Sequence, residues 1–241
     1  GRGWTQQGGR PHAETEAMSR AGAAARGATA YVTLEPCSHH GETPPCAGAL
    51  VDAGVTRVVA AMTDPDPRVA GQGLSALRAA KIAVDVGVCE DEAHALNRGY
   101  LKRLSDGLPL VTLKTAITTD GRIATESGES QWITGAESRA EAHRLRADHD
   151  AIAVASATAL ADDPELTCRL PGMRGRSPVR VLLDAHLRVP TDAKLYATAD
   201  AVPLWVFSAV PSDDPKVLER TKTGAEHFTV ATDGSGHGVN L

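Results

Sequence analysis

Aromatic residues are scarce: three tryptophans, three tyrosines and two phenylalanines make up 3% of the 241 residues. The cores must therefore be filled by Ala, Val, Leu and Ile, and a hydrophobic fraction of 42% is enough to do so. A basic surplus is also lacking. Lys and Arg number 25 against 30 Asp and Glu, giving a formal net charge of −5 and a pI of about 6.0. Nothing here argues for a nucleic-acid surface. No apolar run approaches the ~20 residues of a membrane helix, and the residues from Gly1 onward lack a signal-peptide pattern, so none is expected. There are four cysteines, Cys37, Cys46, Cys89 and Cys168, with no spacing that suggests a disulfide framework, so a reducing cytoplasm is the expected setting. No complete Gly-x-Gly-x-x-Gly follows a strand-like stretch, which argues against a Rossmann domain. The chain starts at Gly1 rather than Met and stops in a glycine-rich polar stretch, and it is expected to be a fragment of a longer protein.

What is present is a split set of metal-ligand residues: His12-Ala13-Glu14, then Pro36-Cys37, then Pro44-Pro45-Cys46. One imidazole and two thiolates supply three ligands for zinc, and water can take the fourth tetrahedral position. Glu14, two residues past His12, can reach that water without binding the metal. A carboxylate that moves protons beside zinc-activated water is the apparatus of hydrolytic base deamination, whose general signature is His-x-Glu followed by Pro-Cys-x-x-Cys. This chain departs from it, because eight residues separate Cys37 from Cys46. Singly, each of these residues is more often a surface or core residue; together they point to metal.

The first hundred residues alternate helix and strand signals. Helices are expected from Pro11 to about Ala25, over Cys46–Ala53 with Gly54 as the stop, over Leu74–Ala80 and over Glu92–Leu104. Strands are expected over Ala28–Leu34, Arg57–Met62 and Ile82–Val88. Such alternation implies a parallel, helix-covered sheet. After Ser105-Asp106-Gly107 the pattern restarts, with expected strands at Leu110–Thr115, Ala151–Ala155, Val179–Asp184 and Leu204–Ser208, a turn at Asp120-Gly121 and a helix over Glu137–Ala147. Two domains are expected, 1–106 and 107–241.

Pro11–Glu14 (PHAE) and Pro36–Cys46 (PCSHHGETPPC) resemble the deaminase half of the bifunctional riboflavin-biosynthesis deaminase–reductases. Lys114–Ala124 (KTAITTDGRIA), Ser127–Thr134 (SGESQWIT) and Ala161–Thr167 (ADDPELT) resemble the reductase half. The resemblance implies an α/β protein with a cytidine-deaminase-like three-layer domain followed by a dihydrofolate-reductase-like domain. It implies zinc-dependent deamination of a diaminopyrimidinone carrying a ribosylamino phosphate, then NADPH-dependent reduction of the ribosyl chain to ribityl. His12, Cys37 and Cys46 match the zinc ligands and Glu14 the proton shuttle. Ala116, Trp132, Thr158 and Asp162 match nucleotide-contacting positions, and Ser130, Arg146, Leu166 and Arg169 match substrate-contacting ones. His39 matches a position where the family commonly has a histidine, which suggests a substrate role, whereas His40 reads as a solvated loop residue. Three departures stand out. Glu42 lies where the family often has a basic residue. Ala185 replaces a common serine. The family's segments before Gly1 and after Leu241 are missing from the chain. The implied partner is a small phosphorylated pyrimidine, with neither nucleic acid nor membrane, and self-association is left open. The alternatives are another zinc nucleobase or nucleoside deaminase, or a catalytically inactive fragment. His94, His143, His149, His186, Cys89 and Cys168 have no evident partner set and read as structural.

Overall fold

The computed structural model describes residues 1–39, 44–232, 234 and 238–240. The chain divides into two compact units, Gly1–Thr112 and Leu113–Leu241.

In the first unit, α1 (Ala13–Ala21) leads through a 3₁₀ turn (Gly22–Ala25) into β1 (Thr29–Val32). Then follow α2 (Cys46–Asp52), β2 (Arg57–Ala60), α3 (Gln72–Ala79), β3 (Ala83–Val86) and α4 (Glu90–Asp106). The three strands pair in parallel in the order β1-β2-β3, with Ala30 opposite Val58 and Val58 opposite Val84. Parallel neighbours need crossover connections, and helices supply them here. β2 is the central strand, and its Val58, Val59 and Ala60 are all buried. Val58 packs with Ala47 and Leu50 of α2 and Leu77 of α3. The expected first helix is shorter than its Ala-rich sequence suggests, because Gly22 ends α1 with a φ of +53° that other residues rarely adopt. α4 ends similarly at Gly107 (φ +70°), where the domain boundary was expected; residues 107–112 belong to the first unit.

The second unit contains α5 (Ala136–Asp148), β4 (Ala151–Ala155), α6 (Ser156–Asp162), β5 (Val179–Leu183), α7 (Lys194–Ala197), β6 (Leu204–Ser208), α8 (Pro215–Thr221) and β7 (Glu226–Thr229). Its sheet is also parallel, in the order β4-β5-β6-β7. Leu182, Leu204 and Val206 form the centre of a core completed by Leu187, Val189, Leu195, Tyr196 and Val217. α8 begins with a local signal, since Pro215 takes the first turn and the Asp214 carboxylate accepts the Lys216 N–H at 2.8 Å.

One expected strand is absent. Residues 110–115 form no strand and join neither sheet among the described residues. Leu113 is 87% exposed. Apolar, β-branched composition makes a segment strand-competent, but without a partner ladder and a covering face it stays irregular. The expected Asp120-Gly121 turn is present, closed by the Gly121 N–H to the Thr118 carbonyl at 2.9 Å. Helices α6, α7 and α8 and strand β7 are further elements that the sequence pattern did not single out. No helix among the described residues is long and apolar enough to cross a membrane.

Candidate functional site

His12 caps the N-terminal end of α1 in an extended conformation, and Glu14 lies in that helix's first turn. Cys37 follows β1, and Cys46 opens α2. The chain folds so that these three stretches meet. His12 Nδ1 lies 3.6 Å from Cys37 Sγ and 3.3 Å from Cys46 Sγ. All three donor atoms fall within 4.8 Å of one another. Tetrahedral zinc with ordinary Zn–N and Zn–S bonds would set N and S about 3.6 Å apart, so the donors already have nearly the spacing that a metal requires. The start of α2 reinforces the arrangement: the Cys46 N–H points at Cys37 Sγ (3.3 Å) and the Ala47 N–H at the Cys37 carbonyl (3.1 Å).

The electrostatics match this geometry. Hydrogen bonding from Cys46 brings the Cys37 thiol down to about 5, against burial, with further help from the Cys46 N–H and His12. Cys46 is pushed up, first by its bond to Cys37 and then by burial. One thiolate therefore forms easily without metal, and the pair holds the remaining proton. Burial also raises the Glu14 carboxyl, against its own backbone N–H and the neighbouring His12. A raised carboxylate beside a cation site is suited to taking up and releasing a proton.

His12, Glu14 and Cys37 line a cavity of ≈ 1180 Å³ whose wall also carries Asp66, Arg68 and Tyr100. That wall belongs to a polar network that sequence reasoning missed. Glu35, 3% exposed, accepts four backbone N–H groups: Asp64 (3.2 Å) and Gly71 (2.9 Å) on Oε2, Gly73 (2.8 Å) and Leu74 (3.2 Å) on Oε1. Asp64 Oδ1 accepts the Asp66 N–H and the Tyr100 hydroxyl, both at 2.9 Å. Asp66 in turn accepts the Arg68 guanidinium on both oxygens, which, with the Arg68 backbone N–H, holds its carboxyl down at about 2. Gly73 is required here, since a Cβ would lie 1.9 Å from the Pro36 carbonyl oxygen. The signal available in the sequence was the acidic run Thr63-Asp64-Pro65-Asp66 just past β2, together with Glu35 before Pro36. His39 lies on the same cavity wall; His40 and Glu42 lie outside the described residues.

In the second unit the structure brings Arg146, Leu166 and Arg169 together. Arg146 donates to the Thr167 carbonyl at 3.0 Å, and burial followed by the charge of Arg169 lowers its pKa. The Arg169 N–H meets His143 Nδ1 at 3.3 Å, and the Arg169 guanidinium lies 3.7 Å from Glu165. His143, read from sequence as structural, thus belongs to this cluster, and burial plus both arginines lower its pKa. Leu166 is buried, with its side chain in the core and its φ at +58°. Thr158 and Asp162 stand one turn apart and exposed on α6. Ala116 and Ser130 are half-buried in the irregular stretch before α5. Trp132 is 72% exposed, with the Arg139 guanidinium 4.6 Å above its ring.

Two family models match. One described as the RibD C-terminal domain covers residues 109–232, and one described as a MafB19-like deaminase covers residues 3–90. The riboflavin biosynthesis protein RibD of Bacillus amyloliquefaciens is 46% identical over 97% of this chain and 62% of its own length. The solved RibD of Acinetobacter baumannii superposes with a TM-score of 0.78 at 41% identity, covering 94% of this chain and 62% of that one. A solved diaminohydroxyphosphoribosylaminopyrimidine deaminase/5-amino-6-(5-phosphoribosylamino)uracil reductase of Thermotoga maritima gives 0.73 at 31% identity, covering 92% of this chain and 68% of that one. The chain thus spans less than two thirds of the Bacillus relative's length.

Proposed function

Because the chain belongs to the RibD family, we propose that its first unit deaminates a diaminopyrimidinone carrying a ribosylamino phosphate and that its second reduces the ribosyl chain of the product. On this reading the first unit is cytidine-deaminase-like and the second dihydrofolate-reductase-like. The observation that carries the deaminase reading is the metal-like spacing of His12, Cys37 and Cys46 beside the half-buried Glu14.

Those three side chains fit zinc, because two thiolates and one imidazole at tetrahedral separations suit that ion. A zinc ion held there supplies a Lewis acid that makes water nucleophilic near neutral pH. Glu14 accepts a proton from the attacking water as the C–O bond forms at the amino-bearing ring carbon. It then delivers a proton to the departing nitrogen as the C–N bond breaks, and ammonia leaves. Desolvation raises its pKa, the direction that favours proton uptake.

The residues of the second unit fit a dinucleotide. Open α/β sheets bind nucleotides beyond the carboxyl ends of their strands. There α6 follows β4 directly and presents Thr158 and Asp162, while Asp184 lies just past β5 with its buried Oδ1 3.8 Å from the Arg188 guanidinium and accepting no hydrogen bond among the described residues. NADPH supplies the hydride when bound. Thr158 and Asp162 orient the nucleotide, the ring of Trp132 and the backbone at Ala116 flank it, and Ser130, Arg146, Leu166 and Arg169 hold the substrate, with paired guanidiniums suited to a phosphate.

The deciding experiment is ammonia release from the diaminopyrimidine ribosylamino phosphate by the zinc-loaded chain, compared with cytidine. Release from the former alone supports the reading. Turnover of cytidine instead would replace it with a nucleoside deaminase.

A further inference from the structure

The cavity of the first unit carries His12, Glu14, Cys37 and Arg68 on its wall. On the wall shared with those residues, Arg68 combines two properties. Its side chain is 76% exposed, yet its guanidinium is fixed, because Nε and Nη2 donate to an Asp66 carboxylate whose own side chain is 6% exposed. Asp66 is fixed in turn through Asp64 and Glu35, so the cation is held on a buried scaffold. No bond from Nη1 is seen among the described residues. A guanidinium fixed along one edge and open along the other is preorganised for the oxygens of an anion.

We propose that Arg68 is the phosphate-gripping residue of the first unit, binding the phosphate monoester of the substrate whose ring reacts at the candidate metal centre. This rests on the deaminase reading above. The Asp66 pair tempers the charge of Arg68, so recognition depends on directed N–H donors more than on net charge. Lysine, with one point of charge and no planar fork, would replace it only in part.

The test is calorimetric titration of ribose 5-phosphate, with ribose as the phosphate-free control. Parent and variants carry Arg169→Gln, so that the basic cluster of the second unit does not contribute. Arg68→Gln is expected to weaken ribose 5-phosphate binding at least fivefold and to leave ribose unchanged, with Arg68→Lys in between. A loss under fivefold, an equal loss for ribose, or no binding of ribose 5-phosphate to the parent overturns the proposal. Cobalt titration, read by the thiolate charge-transfer band, keeps the two readings apart. Cobalt bound through the cysteines with no Arg68 effect removes Arg68 alone. An Arg68 effect without cobalt binding removes the metal reading.

Discussion

Replacing Glu35 by glutamine should destabilise the first unit severely, although no charge partner is lost. Each Glu35 oxygen accepts two backbone N–H groups at 2.8–3.2 Å, and the side chain is buried. Whichever way the amide of glutamine is turned, its NH₂ faces two of those donors and cannot accept from them. Two buried N–H groups then lose their acceptor, at about 1–3 kcal/mol each, or about 2–6 kcal/mol together. A domain's whole stability is of order 5–15 kcal/mol, so the loss is large. Native-state hydrogen exchange with rising urea, read on peptides of the first unit only, measures it. The amides of Gly71, Gly73 and Leu74 should lose protection first, and global protection of the unit should fall by the stated amount. A change below about 1 kcal/mol would refute the reasoning, showing that water or a shifted loop satisfies those donors at little cost.

Other consequences follow from the same geometry. Glu14→Gln should keep its metal and lose deamination by a factor of ~10²–10⁴, the usual range for a positioned acid–base group; near-normal ammonia release would remove Glu14 as the proton carrier. Arg169→Ala should raise the KM of the reductase step with little change in metal content, and an unchanged KM would take Arg169 out of the site. In the metal-free chain, Cys37 should react with iodoacetamide as a thiolate down to about pH 5, while Cys46 stays protonated. The sign is that of an acid whose folded value lies below its unfolded one: the thiolate's contribution to stability is complete above about pH 9 and is lost as pH falls through about 5. Mass-spectrometric mapping of the alkylated peptides across pH 4–9 decides it, and equal labelling of both cysteines would contradict it.

Much of the fold can be read locally. The parallel arrangement follows from strands such as Arg57–Ala60 and Leu204–Ser208 spaced by helix-length segments. The candidate metal centre was legible because Pro-Cys pairs and His-x-Glu are rare combinations whose spacing carries the chemistry. What was hidden depends on contacts far apart in sequence. Nothing near Glu35 shows that its carboxylate ends against N–H groups 29 to 39 residues away. The contact between His143 and the Arg169 N–H, 26 residues on, was hidden for the same reason. The reverse error at 110–115 has the same origin: the segment has the composition of a strand, but pairing is decided by a neighbour the segment does not contain.

The most direct measurement of the central claim is metal stoichiometry in the purified 241-residue chain by inductively coupled plasma mass spectrometry, beside a Cys37→Ala/Cys46→Ala variant. The account predicts close to one zinc per chain in the parent and almost none in the variant, with the fold of both intact by circular dichroism. A parent that takes up no zinc when it is supplied, or a variant that retains it fully, would contradict the claim that His12, Cys37 and Cys46 form one metal site.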